Sequence, residues 1–193
     1  MTTLFTGRDL IETLIEAEEI GAGFYQCLAE NTPRTKARDL FARIGQEERE
    51  HVQELESLLD AAEGYAPAES YPDEYHEYLH ALVEGRVFPD EETCRQMARD
   101  VRDEAEACPL ASSFEKQIIL FLHELRRLLP EDRHDTVQRL LEGEYEHLRH
   151  LHALEQEGQP YSLSRCAFDA GNDSGKEDPR CPSFSRVMSL PRW

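Results

Sequence analysis

Apolar residues recur at spacings of three and four along four stretches of this chain. Each stretch predicts an amphipathic helix whose apolar stripe faces a core. The first stripe is Ile11, Leu14, Glu18, Gly21, Tyr25 and Leu28, on a helix from about Asp9 to Glu30. Asn31-Thr32-Pro33 closes that helix and opens the next, with Thr32 as N-cap and Pro33 at the first helical position. The second stripe is Phe41, Ile44, Glu48, His51, Leu55 and Leu58, on a helix that runs to about Glu63 with Gly64 as its stop. The third is Ala111, Glu115, Ile118, Leu122, Leu125 and Leu129, on a helix from about Ser112 to Leu129. Pro130-Glu131-Asp132 then forms the first turn of a fourth helix, which carries Val137, Leu140, Glu144, His147, Leu151 and Leu154 and ends near Gly158. Residues 65–110 form a long, proline-interrupted crossover with short helices around Pro72–Glu84 and Asp90–Ala107. From Gln159 onward the chain is rich in Ser, Gly, Pro and Asp without a period, which predicts a mobile tail over 159–193. Strand-like alternation is absent. The fold class is therefore all-α: a four-helix bundle over residues 8–158, with a long crossover that contains short extra helices.

Polar residues interrupt these stripes in the middle. The second and fourth each carry Glu-x-x-His, at Glu48/His51 and Glu144/His147, and residues three apart share a helix face. The first and third each carry one glutamate, Glu18 and Glu115, at the corresponding level. One layer of the bundle interior thus holds four carboxylates and two imidazoles. An unpaired buried carboxylate costs several kcal/mol even after relaxation. Two divalent cations balance four negative charges, and oxygen and imidazole donors without thiolate suit iron or manganese. One Glu from each of two helices with one Glu-x-x-His from each of the other two is the ligand set of the di-iron and di-manganese carboxylate bundles.

Composition supports this reading. Of 193 residues, 21 are Lys or Arg and 40 are Asp or Glu, a formal charge of −19. Sequence-independent nucleic-acid binding needs a basic footprint, so it is not expected. A strong negative field instead concentrates cations. No apolar run reaches the roughly 18 to 20 residues of a membrane span, and the N-terminus lacks the form of a signal peptide. Five scattered cysteines, with no CxxC, indicate neither a disulfide framework nor a cysteine metal site, so the setting expected is reducing and cytoplasmic.

Glu-x-x-His alone is a weak signal: composition gives about one match by chance, and the chain has four. Glu77/His80 lies off the apolar stripe of its short helix, and Glu131/His134 sits at a helix start, so both read as solvated. Internal repetition distinguishes the other two. Glu48 to Glu144 and His51 to His147 are each 96 residues apart, and Glu18 to Glu115 is 97.

These residues resemble the rubrerythrin-like branch of the ferritin-like superfamily, over about residues 8–157. The resemblance rests on Glu18 with Phe24-Tyr25, on QEEREH at 46–51, on FEKQIILFLHEL at 114–125, on GEYEH at 143–147 and on the crossover stretch 77–92. It implies a ferritin-like bundle in which Glu18 and Glu115 are terminal ligands, Glu48 and Glu144 bridge two metals, and His51 and His147 bind one each. It also implies two iron ions, with manganese as the alternative, that react with H2O2 or O2 or oxidise Fe(II), and a homodimer. Two features depart from the family pattern. The tail has only isolated Cys166 and Cys181 in place of a rubredoxin domain, so electrons come from an external donor. Ile118 stands where rubrerythrins carry an additional metal-binding glutamate, a departure that counts against classical peroxidase cycling and leaves oxidase or ferroxidase chemistry open. A metal-storage protein without turnover, a di-manganese catalase-like enzyme and an organic-substrate oxygenase are the competing readings.

Tyr25, two turns beyond Glu18, is the candidate catalytic residue: a partner for a ligand carboxylate or an electron relay, against an ordinary core tyrosine. Its counterpart in the repeat, Leu122, has no hydroxyl. His123, His150 and His152 read as solvated, as do Glu47, Glu50, Glu54 and Glu56. Cys27 and Cys94 read as ordinary helical cysteines, and the terminal SFSRVMSLPRW as disordered tail.

Overall fold

Every residue of the four predicted stripes is buried, the charged ones included. The computed structural model describes residues 7–62, 73–84 and 89–158. Among these it contains six α-helices and no strand: α1 (Gly7–Asn31), α2 (Thr35–Ala62), α3 (Asp73–Glu84), α4 (Glu91–Asp100), α5 (Glu104–Leu128) and α6 (His134–Gly158). The expected stop at Gly64 and the tail over 159–193 lie outside the described residues. Helices α1, α2, α5 and α6 are the four long ones. Helix α1 packs chiefly on α2, and α5 chiefly on α6; α4 lies against α1. None of the described helices is long and apolar enough to cross a membrane.

The local chemistry moves three boundaries from their expected places. Thr32 and Pro33 do not begin α2. The Asn31 amide donates to Cys27 O at 2.8 Å and prolongs α1 by satisfying one of its last carbonyls. The first helical bond of α2 runs from Arg38 N to Arg34 O, so residues 32–34 all serve the reversal. The helix expected over Asp90–Ala107 is divided at Val101–Asp103. Asp90 caps α4 by accepting from Thr93 N at 3.0 Å, and Asp103 caps α5 by accepting from Glu106 N at 3.1 Å. An aspartate that binds the amide three residues on starts a new helix there. Consequently α5 begins eight residues before Ser112 and continues through Pro109. That proline forfeits only the bond to Ala105 O, while buried Ala107, Cys108 and Ala111 hold the turn against the core. Before α6, Glu131–Arg133 forms a 3₁₀ turn instead of a first α-helical turn.

The crossover is tied to the bundle by polar contacts. Glu124 of α5 is buried and accepts from the hydroxyls of Tyr75 at 2.7 Å and Tyr78 at 3.2 Å, both on α3. The Arg127 guanidinium lies 5.4 Å from the Tyr75 ring centroid. Charge-assisted hydrogen bonds satisfy a carboxylate that would otherwise be costly to bury.

Helices α1 and α2 approach closely at Gly45. A Cβ there would lie 3.1 Å from Tyr25 Cβ and 3.3 Å from Ala22 O. The second neighbour is backbone and cannot rotate away. Gly45→Ala is therefore expected to destabilise the protein by about 1 kcal/mol or more despite the higher helix propensity of alanine, because overpacking costs about 1–3 kcal/mol. Thermal unfolding of the two proteins, measured by circular dichroism, checks this; an unchanged or higher Tm for the variant contradicts the close approach.

Candidate metal centre

The six residues picked out by the stripes meet in one buried layer, one glutamate each from α1 and α5 and a Glu-x-x-His from each of α2 and α6. Two quartets form, Glu18/Glu48/His51/Glu144 and Glu48/Glu115/Glu144/His147, and within each the ligand atoms lie within 4.8 Å of one another. His51 Nδ1 is 3.3 Å from Glu48 Oε2, 2.8 Å from Glu144 Oε1 and 4.0 Å from Glu18 Oε1. His147 Nδ1 is 3.3 Å from Glu48 Oε1, 3.2 Å from Glu144 Oε2 and 4.0 Å from Glu115 Oε2. Glu48 and Glu144 thus turn one oxygen towards each imidazole, while Glu18 and Glu115 close opposite ends. The two imidazole centroids are 5.5 Å apart.

Four buried atoms of this layer, Glu18 Oε1, Glu48 Oε2, His51 Nδ1 and Glu144 Oε1, make no hydrogen bond among the described residues. His51 Nδ1 and Glu144 Oε1 are close enough for one but misaligned. The atoms converge on a shared point instead of pairing with each other. Buried polar groups are ordinarily satisfied, so this arrangement, with its oxygen and imidazole donors, fits a pair of divalent cations.

Without cations the site reaches neutrality through protons. Burial, then the negative charge of Glu48, holds Glu18 and Glu115 well above the carboxylate range. Burial alone would also raise Glu48 and Glu144, but the surrounding donors outweigh it and lower both; both imidazoles contribute to each. For the histidines burial opposes charge, yet the contacts with Glu144 and Glu48 prevail and raise His51 to about 10 and His147 to about 12. Two carboxylates and two imidazoliums then cancel, with two neutral carboxylic acids beside them.

Tyr25 is buried and its hydroxyl donates to Glu115 Oε1. Burial, then the Glu115 charge, raises its pKa well above that of a free phenol, so it stays a donor. It therefore touches a candidate ligand of α5, not Glu18, the residue two turns before it. Phe24 and Phe41 pack at its ring. Two contributors are not evident from the stripes. Glu47, read as solvated, is half-buried, and its Oε2 lies 3.1 Å from His147 Nε2. Gly143 lies under the His51 ring, where a Cβ would be 2.6 Å from Nε2. The 96-residue offset pairs these two positions, and that signal is present in the sequence. Glu77 and Glu131 are exposed, and His134 turns to Leu129 O at 3.0 Å, so neither remaining Glu-x-x-His joins the layer. His123 is exposed and pairs with the Tyr145 hydroxyl.

These charge states set a pH dependence. Loading two divalent cations at pH 7 requires Glu18, Glu115, His51 and His147 to lose their protons, about four per pair of ions. Protons are products of binding, so affinity rises with pH over the range below the His51 value of about 10. Titration of metal-stripped protein with Mn2+ in weak buffer containing a pH indicator measures the release; no proton release contradicts the assigned charges.

No family model matches the chain, and no curated protein does. Among solved structures, the chain is similar to a candidate ferritin-like diiron-carboxylate protein from Thermotoga maritima, with a TM-score of 0.61 and 24% identity, over 82% of this chain and 100% of that one. That likeness extends through the bundle and agrees with the four-helix layer just described: the fold of this chain is the ferritin-like one.

Proposed function

We propose that this protein is a di-iron oxidoreductase of the rubrerythrin type that uses O2 or H2O2 as oxidant or oxidises Fe(II). The observation that carries the reading is the pair of Glu/His quartets sharing Glu48 and Glu144. In that reading Glu48 and Glu144 span the two positions, Glu18 and His51 complete one, and Glu115 and His147 complete the other. When bound, a ferrous pair supplies two electrons, which with two protons convert O2 to H2O2 or H2O2 to two waters. The chain's own residues hold the ligands in place. Tyr25 fixes the Glu115 carboxylate, and the Phe24 and Phe41 rings packed at Tyr25 exclude water from that side of the layer. Ile118 in the position of an additional glutamate supports oxidase or ferroxidase chemistry. An external electron donor belongs to the same reading, and buried free Cys27, Cys94 and Cys108 accord with a reducing cytoplasm. The same reading takes the protein as a homodimer.

Metal analysis of the protein as purified, with optical spectra of the reduced form before and after O2 or H2O2, tests the proposal. About two irons per chain and a ferric band growing on oxidation are expected, and the faster oxidant identifies the reaction. Glu48→Ala and His147→Ala lower both iron content and Tm, because metal binding and folding are linked. Glu77→Ala lowers neither. Two manganese ions per chain favour the catalase-like reading, and a stable protein that binds no metal overturns both.

A further inference from the structure

The offset that matches the ligands of the two halves also exposes where they differ. An offset of 96 relates Glu48 to Glu144 and His51 to His147, and the same offset relates Glu47 to Gly143. An offset of 97 relates Glu18 to Glu115 and Tyr25 to Leu122. All candidate ligands are thus duplicated, while two of their neighbours are not. Both polar neighbours serve the same end of the site. Tyr25 donates to Glu115, and Glu47 accepts from His147 Nε2 at 3.1 Å. Glu47 is itself steadied by Arg43 at 3.4 Å.

At the other end both corresponding groups are missing: Leu122 has no hydroxyl, and position 143 is closed to a side chain for a steric reason. The His51 ring occupies the space that any side chain at position 143 would need, so no carboxylate can reach Nε2 from there. All four buried atoms without a hydrogen bond among the described residues belong to the Glu18/His51 quartet. His51 is also nearer solvent, 8% exposed against 1% for His147.

A carboxylate on the far nitrogen of a ligating imidazole fixes its tautomer and orientation and raises its basicity. Ligands ordered beforehand lose less freedom on binding. We propose that the two metal positions are unequal: Glu115 and His147 hold a tight, resident cation, Glu18 and His51 hold an exchangeable one, and Glu47 is the positioning residue that creates the difference. The proposal rests on the two-metal reading above and adds an order of loading to it. The resident position fills first, and exchange with solution takes place at the His51 end.

The test is anaerobic titration of the metal-stripped full chain with Co2+, which does not turn over, followed by calorimetry and visible absorption. Two ions per chain are expected, with affinities separated by tenfold or more. Glu47→Gln, at a half-buried position that needs no repacking, weakens the tighter ion by about 10–100-fold and leaves the weaker one in place. His51→Ala removes the weaker ion alone, and Gly143→Ala, which displaces the His51 ring, weakens the same ion. A general loss of fold would affect both ions in every variant, and circular dichroism of each variant detects it. Two equal affinities in the unaltered protein, or a Glu47→Gln effect on the weaker ion or on both equally, overturns the inequality and leaves the two-metal reading standing. Fewer than two ions in the unaltered protein, or two that survive both His51→Ala and His147→Ala, overturns that reading as well.

Discussion

Four carboxylates buried together in one layer of a largely apolar core are the constraint on which the rest of this structure depends. Charges removed from water at this density cannot all remain ionised without compensation. The protein supplies part of it through two imidazoles and the remainder through protons on Glu18 and Glu115. Everything around the layer serves to keep these six groups together. Leucine, isoleucine and phenylalanine side chains above and below form the core, each contributing about 1.5–3 kcal/mol on burial. The polar layer is therefore held by packing that owes nothing to it.

The bundle positions the groups with rigid elements only. All six candidate ligands project from long helices and none from a loop, so their separations are set by helix packing. Gly45 brings α1 and α2 together beside Tyr25, and Gly143 leaves the His51 ring its place between α2 and α6. In both cases the side chain that is missing matters as much as those present. Glu124 with Tyr75 and Tyr78 shows a second way of burying a carboxylate, in which hydroxyl donors satisfy the oxygens and nothing is left to coordinate. The contrast between these two buried carboxylate sets, one paired by donors and one convergent, is what separates a structural contact from a candidate metal centre.

The four stripes were legible in the sequence because burial enforces a period, and a Glu or His in that period is conspicuous against leucine and isoleucine. The helix ends were less legible because they depend on which side chain captures a backbone group. Asn31 turned back to the carbonyl of Cys27, and Asp103 divided what the period read as one helix. The start expected near Ser112 falls too late because Pro109, in the second turn of α5, forfeits a single bond and the helix passes through it. Glu47 was misread because it stands beside its helix's stripe, among other acids, and its orientation depends on α6 across the bundle. Tyr25 was placed correctly on its face, yet its partner could not be read from spacing along one helix, since Glu115 lies on another. The relation of Glu47 to Gly143 was contained in the repeat and becomes meaningful only when each is seen against a different histidine.

The sharing of Glu48 and Glu144 has a consequence for the chain as a polymer. Each quartet takes three members from one pair of long helices and one from the other, so neither pair completes a position alone. A cation bound jointly by these two glutamates would be a crosslink closing a loop of about a hundred residues. Treated like a covalent bridge over that span, such a link restricts the unfolded chain by about 4–5 kcal/mol, a value that depends on chain length and not on the strength of any contact in the folded state. To the packing that already joins the first helical pair to the second, such a link would add a term that resides in the unfolded ensemble and in no contact of the folded protein.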